Sequence, residues 1–214
     1  MEWRHELKFL VSEETLERIK YRLMPIMELD AYHGDDGYLI RSVYFDDYED
    51  SCVADNLAGV DKRSKYRIRT YEANSDFIRL EKKSKSNGLN KKDMWELTKD
   101  QCDAYLDGQA HLMIPQMQAR HMIPKCIVEY HRLAFTYPTG NVRITFDTNL
   151  RGSKNISDFY KDRIDAVPAL PVGQHILEIK YDEVLPRFIQ ESVDTGNLMQ
   201  QSFSKYYYVR KTVG

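Results

Sequence analysis

Polar and apolar residues alternate through most of the longer segments of this chain, with the two-residue period of a strand that has one apolar face. In KYRIRTY, Lys65, Arg67 and Arg69 share one face, while Tyr66, Ile68 and Thr70 share the other. The pattern recurs with Arg79, Glu81, Lys83 and Lys85 in IRLEKKSK, and with Glu6 and Lys8 in HELKF. Arg143, Thr145 and Asp147 repeat it in VRITFD, as do Glu178 and Lys180 in ILEIKY. The pattern predicts strands over 4–11, 38–46, 64–72, 76–85, 91–97, 125–137, 142–148 and 176–181. Turn residues separate them: an Asp- and Gly-rich turn at 33–37, Ala73–Asn74–Ser75, Asn87–Gly88, and Thr139–Gly140–Asn141.

A period of 3.6 marks fewer segments. Ser12 is placed to cap a helix with Glu13 and Glu14 in its first turn and Leu16, Ile19, Tyr21 and Leu23 on its apolar side, stopped by Pro25. Thr98 and Gln101 have the spacing of a capping box, opening a helix that ends near Gly108. Pro186 suits the first turn of a helix that runs to about Asp194, before Gly196. Residues 47–59 read as a short helix or loop, 110–123 as helix-compatible but broken by Pro115 and Pro124, and 149–174 as a loop with a short helix. Residues 204–210 read as a last strand or extended segment. Hairpins and the excess of strands predict an antiparallel sheet in an α+β fold. No repeat, low-complexity tract or linker divides the chain, so residues 1–214 are expected to form a single domain.

Alternation in an antiparallel sheet ordinarily places apolar side chains inward and polar ones in water. Here the polar positions are biased to Lys and Arg, although 31 basic and 33 acidic residues give the chain a net charge of −2. Bulk nucleic-acid binding is therefore not expected, and any basic site must be local. A closed antiparallel barrel of about eight strands, with helices on its outer apolar face, would gather those cations on an inner wall. Phosphate oxygens suit such a wall, because Arg forks bind them in pairs and Lys adds point charge. Glu6, Glu81 and Glu178 on the same faces fit a divalent cation bridging carboxylate and phosphate. The 15 tyrosines and a 12% aromatic share argue against disorder. Cys52, Cys102 and Cys126 are odd in number and widely spaced, which suits a reducing cytoplasmic setting rather than a disulfide framework or zinc site. The N-terminus lacks a signal-type apolar stretch, and no run reaches the roughly 18–20 residues of a membrane helix. The chain itself is expected to be soluble, with room for a membrane partner.

In order along the chain, RHELKF, IRSVYFD, KYRIRTY, LEKKSK, VEYHRLAF, VRITFD, ILEIKY and FSKYYYVR closely resemble the VTC-type polyphosphate polymerase domain. That domain belongs to the triphosphate tunnel metalloenzyme (CYTH-like) superfamily, and the likeness runs from about Arg4 to Arg210. The resemblance implies an antiparallel tunnel with a basic interior for triphosphate or polyphosphate and a catalytic divalent metal, Mn²⁺ or Mg²⁺. It implies phosphate-binding roles for Lys8, Arg41, Arg67, Arg69, Lys83, Arg132 with Tyr130 beside it, and Lys205. Lys65, Lys85, Arg143 and Lys180 join this set by sharing the same strand faces. Glu178 is implied as the metal glutamate, with Glu6 and Glu81 as further candidates, and catalysis would rest on Arg67, Arg69, Lys83, Arg132 and Glu178. Many phosphatases of the superfamily open with ExExK. Here Arg4 takes the first position, which fits the polymerase branch better.

The expected reaction is ATP-dependent synthesis of inorganic polyphosphate, with ATP or another nucleoside triphosphate and polyphosphate or pyrophosphate as ligands and without nucleic acid. Phosphoryl transfer needs mainly positioning and charge neutralisation, so no side-chain nucleophile is required. Attack by water would make the same site a tri- or polyphosphate hydrolase, and an inert site would make it a polyphosphate-binding module. Other residues read as structural or solvated. His5, His33, His111, His121, His131 and His175 have no ligand spacing, and Ser12 and Ser204 have no triad context. Asp46–Asp47 suits a strand-end turn, and Met113, Met117 and Met122 suit helix packing. Lys82, Lys91 and Lys92 are read either as guides at a tunnel mouth or as solvated charge.

Overall fold

A computed structural model describes residues 4–30, 37–73, 76–194 and 197–214. Its strands are β1 (His5–Ser12), β2 (Glu28–Leu29), β3 (Tyr38–Asp46), β4 (Arg63–Tyr71), β5 (Ile78–Ser86), β6 (Leu89–Leu97), β7 (Ile123–Tyr137), β8 (Val142–Ser153), β9 (Val167–Pro168) and β10 (Gln174–Tyr181). Its helices are α1 (Glu13–Leu23), α2 (Ser51–Leu57), α3 (Lys99–Leu106), α4 (Pro115–Gln118), α5 (Arg187–Val193) and α6 (Lys205–Val213).

Eight strands follow one antiparallel path, β1-β10-β8-β7-β3-β4-β5-β6, with β2 added to β7 and β9 to β8. The sheet curls until its end strands meet at a single bridge, where Arg4 and Asn90 exchange backbone hydrogen bonds of 3.1 and 3.2 Å. Register then fixes which side chains share the inner face. Glu6 lies opposite Lys180, Lys8 opposite Glu178, Arg67 opposite Glu81, and Lys65 opposite Lys83. The β7–β8 hairpin brings Asp147 into the set. Its register, counted from Tyr137 opposite Val142, puts Arg132 opposite Asp147, and a bulge at Asn149, φ 53°, shifts only the pairs from Glu129 onward.

The outer face is apolar and covered. Leu16, Ile19 and Leu23 of α1 and Ile189 and Val193 of α5 pack on Phe9, Phe146, Leu177 and Ile179. A second cluster packs Val209 and Tyr206 of α6, together with Cys52, Cys102, Met113, Met117 and Met122, against β3, β4 and β7. Gly152 lets α6 come close, since a Cβ there would lie 2.1 Å from a Val209 methyl.

Most predicted elements form with shifted ends. Ser12 accepts from the Thr15 amide at 3.2 Å, and the Thr98–Gln101 capping box closes with both of its bonds. Asn87 and Gly88 both take positive φ in the β5–β6 turn. The three cysteines are buried and free, and Asp46 accepts from the Asp47 and Cys52 amides, as a strand-end turn requires. Three expectations fail. Tyr21 is 80% exposed, because the apolar stripe of α1 needs only its i, i+3 and i+7 positions. Residues 149–153 continue β8. The closing segment is helix α6, with Ser204 as its N-cap. The turns expected at 33–37 and 73–75, with His33, and Gly196 after α5 fall wholly or partly outside the described residues.

Candidate functional site

The curled sheet encloses a cavity of about 1040 Å³ whose described lining carries fifteen Lys and Arg side chains and five carboxylates. In a chain of net charge −2 this is a strong segregation of charge, made mainly by strand parity. Lys8, Lys65, Arg67, Arg69, Lys83, Lys85, Tyr130, Arg132, Arg143, Lys180, Lys205, Glu6 and Glu178 all reach the lining. Arg41 does not. It sits one position out of phase with Ser42 and Tyr44, so its side chain leaves by the outer face. There it is fully buried, ion-paired to Glu129 at 2.6 Å, and donates to the carbonyls of Phe159 (2.9 Å), Lys161 and Asp162. The expectation that Arg41 binds phosphate is corrected on that ground: its donors are spent on the wall.

Two charge clusters shape the interior. In the first, Arg132 holds Asp147 through two parallel bonds of 2.6 and 2.7 Å, and Lys205 bridges Asp147 (2.6 Å) to Glu178 (2.8 Å). Burial pushes the Glu178 carboxyl up, but Lys205, Lys180, Lys8 and Arg132 outweigh it and hold the group far below the usual carboxylate range. Glu6 lies beside this cluster, within 3.6 Å of Lys8, 3.7 Å of Lys180 and 2.5 Å of Lys83. Burial raises its pKa as well, and the same three ammoniums reverse the shift. In the second cluster Arg67 pairs with Glu81 at 2.6 Å and donates to the Tyr44 hydroxyl at 2.9 Å, while Arg69 donates to the Tyr130 hydroxyl at 3.1 Å. Burial disfavours the Arg67 charge, but Glu81 more than compensates.

Lys65 stands apart. Its ammonium donates to Asn56 Oδ1 (2.8 Å) and Ser204 Oγ (2.6 Å), and among the described residues no carboxylate lies within ion-pair distance of it. Burial, with Lys8, Lys83 and Arg63 nearby, brings its pKa down to about 7. Lys83 falls to about 7 as well, because burial and the neighbouring Lys8 and Lys180 outweigh Glu6.

For a divalent cation the inner wall offers hard oxygen donors at Glu6 and Glu178. The buried Glu6 Oε1 accepts no hydrogen bond, so one donor is left over. Two carboxylates plus ligand phosphate oxygens suffice for a Mg²⁺-type site, which keeps few protein ligands. Glu81 does not join them. It is taken up by Arg67, Arg69 and Lys92, and among the described residues no three His, Cys, Asp or Glu side chains converge.

Three residues take parts that the sequence reading did not assign to them. Asp147 alternates visibly in VRITFD, and the register of the β7–β8 hairpin sets it opposite Arg132. Lys92, left between two readings, faces Glu81 at 3.2 Å; the same parity carries Asn90, Lys92 and Met94 inward. Arg4 pairs with Asp182 at 2.6 Å beside the seam.

The fold has counterparts among solved structures. A Hippeastrum protein first assigned as an adenylyl cyclase, and described as having a dominant triphosphatase activity, superposes with a TM-score of 0.58 at 14% identity, over 100% of this chain and 97% of that one. The PH1819 protein of Pyrococcus horikoshii gives 0.54 at 14% identity, over 98% and 99%. A Bacillus halodurans protein assigned as an adenylate cyclase gives 0.54 at 19% identity, over 94% and 92%. Among curated protein sequences nothing matches. The family model of the VTC domain matches residues 3–213, nearly the whole of the curled sheet and its helices, and the chain belongs to the VTC domain family.

Proposed function

We propose that this chain is a metal-dependent phosphotransferase that builds inorganic polyphosphate from ATP inside the basic cavity. The observation that carries the reading is the convergence of Arg67, Arg69, Arg132, Lys8, Lys83 and Lys205 on one enclosed space. An enclosed, multiply cationic wall positions phosphates and neutralises the charge on their oxygens, which is most of what phosphoryl transfer asks of a protein. Arg67 and Arg69 grip the donor triphosphate, with Tyr44 and Tyr130 orienting their guanidiniums. Arg132 and Lys205, aligned by Asp147, face the transferred phosphoryl group. Glu178 and Glu6 would hold Mn²⁺ or Mg²⁺, which supplies charge neutralisation on phosphate oxygens when bound.

Arg4 supports extension over hydrolysis. Where a carboxylate would serve a second metal, the chain places a guanidinium already paired to Asp182. The opposite reading, a triphosphate hydrolase, draws on the triphosphatase activity described for the Hippeastrum protein.

The purified protein incubated with ATP and Mn²⁺ or Mg²⁺, its products resolved on a gel, decides the matter. Long chains are expected. Orthophosphate alone makes the site a hydrolase, and tight polyphosphate binding without turnover makes it a binding module. Arg67→Ala and Glu178→Ala should each abolish turnover while leaving a folded protein, and activity retained in both would remove the site assignment.

A further inference from the structure

At one rim of the cavity the lining changes character. Where β4 ends and β5 begins, Tyr38, Tyr71 and Phe77 form a continuous run of rings. The Tyr38 and Tyr71 centroids lie 5.6 Å apart with planes inclined by 30°, and Tyr71 and Phe77 are again 5.6 Å apart. The Arg79 guanidinium carbon sits 4.0 Å from the Phe77 centroid, and Glu96 fixes that guanidinium at 3.2 Å. Tyr38 is 7% exposed and backs the run, whereas Phe77 is 38% exposed. A phenyl ring open to water contributes nothing to phosphate binding, and a fully buried packing role does not describe it.

Its place on the strand supplies a role. Tyr71 is the next inward position after Arg67 and Arg69 on β4. At about 3.3 Å per residue, Tyr71 lies roughly 7 Å beyond Arg69 and roughly 13 Å beyond Arg67. A nucleoside triphosphate whose terminal phosphates rest on those arginines, and whose base points toward Tyr71, reaches this rim. We infer that Tyr71, Phe77 and Arg79 form a stacking shelf for the nucleobase of the donor nucleotide. The inference rests on the phosphate-binding reading of Arg67 and Arg69 given above. The shelf offers ring and guanidinium planes, so it holds bases by stacking and charge and favours the larger purines over pyrimidines without reading their edges.

Calorimetric titration with a β,γ-imido ATP analogue and, separately, with inorganic tripolyphosphate tests this directly. Phe77→Ala should weaken the analogue by about fivefold to about a hundredfold, the worth of one base–aromatic stack, and leave tripolyphosphate affinity unchanged. Phe77→Trp should restore analogue binding, which a general loss of folding would not permit. An equal loss for both ligands in Phe77→Ala, or no loss for either, overturns the shelf. A wild-type protein that binds neither ligand overturns the phosphate reading beneath it.

Discussion

Arg41 and Arg67 are the same residue type on neighbouring strands, yet parity assigns them opposite duties. Arg67 opens onto the cavity, with a side chain 17% exposed and partners at its flanks. Arg41 is sealed into the outer wall with Glu129, which Arg151 also holds. Removing Arg41 takes one of two cations from the buried Glu129 and the donor from three carbonyls, at a cost of about 3–5 kcal/mol. Arg41→Ala should therefore lower the denaturant midpoint sharply, and Arg41→Lys should not rescue it, because one ammonium cannot replace a fork that serves three carbonyls and a carboxylate. Arg67→Ala should lose phosphate affinity with a far smaller loss of stability. Chemical denaturation of the variants separates the two, and equal midpoints would refute the assignment of Arg41 to the wall. The contrast also marks what could be read from single residues. Alternation within KYRIRTY put Lys65, Arg67 and Arg69 on one face, and its recurrence in the other strands pointed that face at a shared interior. IRSVYFD gave no such guidance: it is buried on both faces, so its one arginine carried no parity signal.

At the scale of elements, helix α6 is the piece whose form the sequence concealed. FSKYYYVR is rich in aromatic and β-branched residues, which favour strands, and only the Ser204 cap argues for a helix. Tertiary packing decides the matter by burying Tyr206 and Val209 against the sheet and aiming Lys205 into the cavity. The contact passes through Gly152, where an added methyl would strike a stiff β-branched side chain at 2.1 Å. Gly152→Ala should cost about 1–3 kcal/mol as overpacking. It should also reduce turnover, because α6 cannot withdraw without carrying Lys205 away from Glu178 and Asp147. Adding Val209→Ala should recover part of both losses, and a Gly152→Ala protein with unchanged melting temperature and activity would refute the coupling. The strands were legible because their period is short and repeated. The pairing of Asp147 with Arg132 was not, because it depends on a count across the β7–β8 hairpin rather than on a pattern within one strand.

The whole molecule stores like charge in a confined space, and this makes its stability depend on both pH and anions. Lys65 and Lys83 have pKa values brought down to about 7 from an ordinary value of 10.5. Between those limits the unfolded chain carries protons that the folded chain has released, so stability rises with pH across this window. Below about pH 7 both lysines are charged in the fold and the penalty for crowding them is fully present. A bound polyanion removes that penalty, because it stabilises the charged form that burial disfavours. The melting temperature of the unliganded protein should therefore climb from pH 6 toward pH 9, and the increment gained from tripolyphosphate should be larger at pH 6 than at pH 9. The anion's own charge grows with pH and works in the opposite direction, so a falling increment identifies the protein's lysines as the source. Lys65→Met should flatten both trends while leaving the Arg132–Asp147–Lys205 cluster in place, since its ammonium bonds only Asn56 and Ser204 among the described residues. Thermal melts of the wild type and this variant at the two pH values, with and without tripolyphosphate, measure the effect. A wild-type increment that rises from pH 6 to pH 9 as steeply as the variant's would refute charge crowding as the source of the cavity's anion affinity.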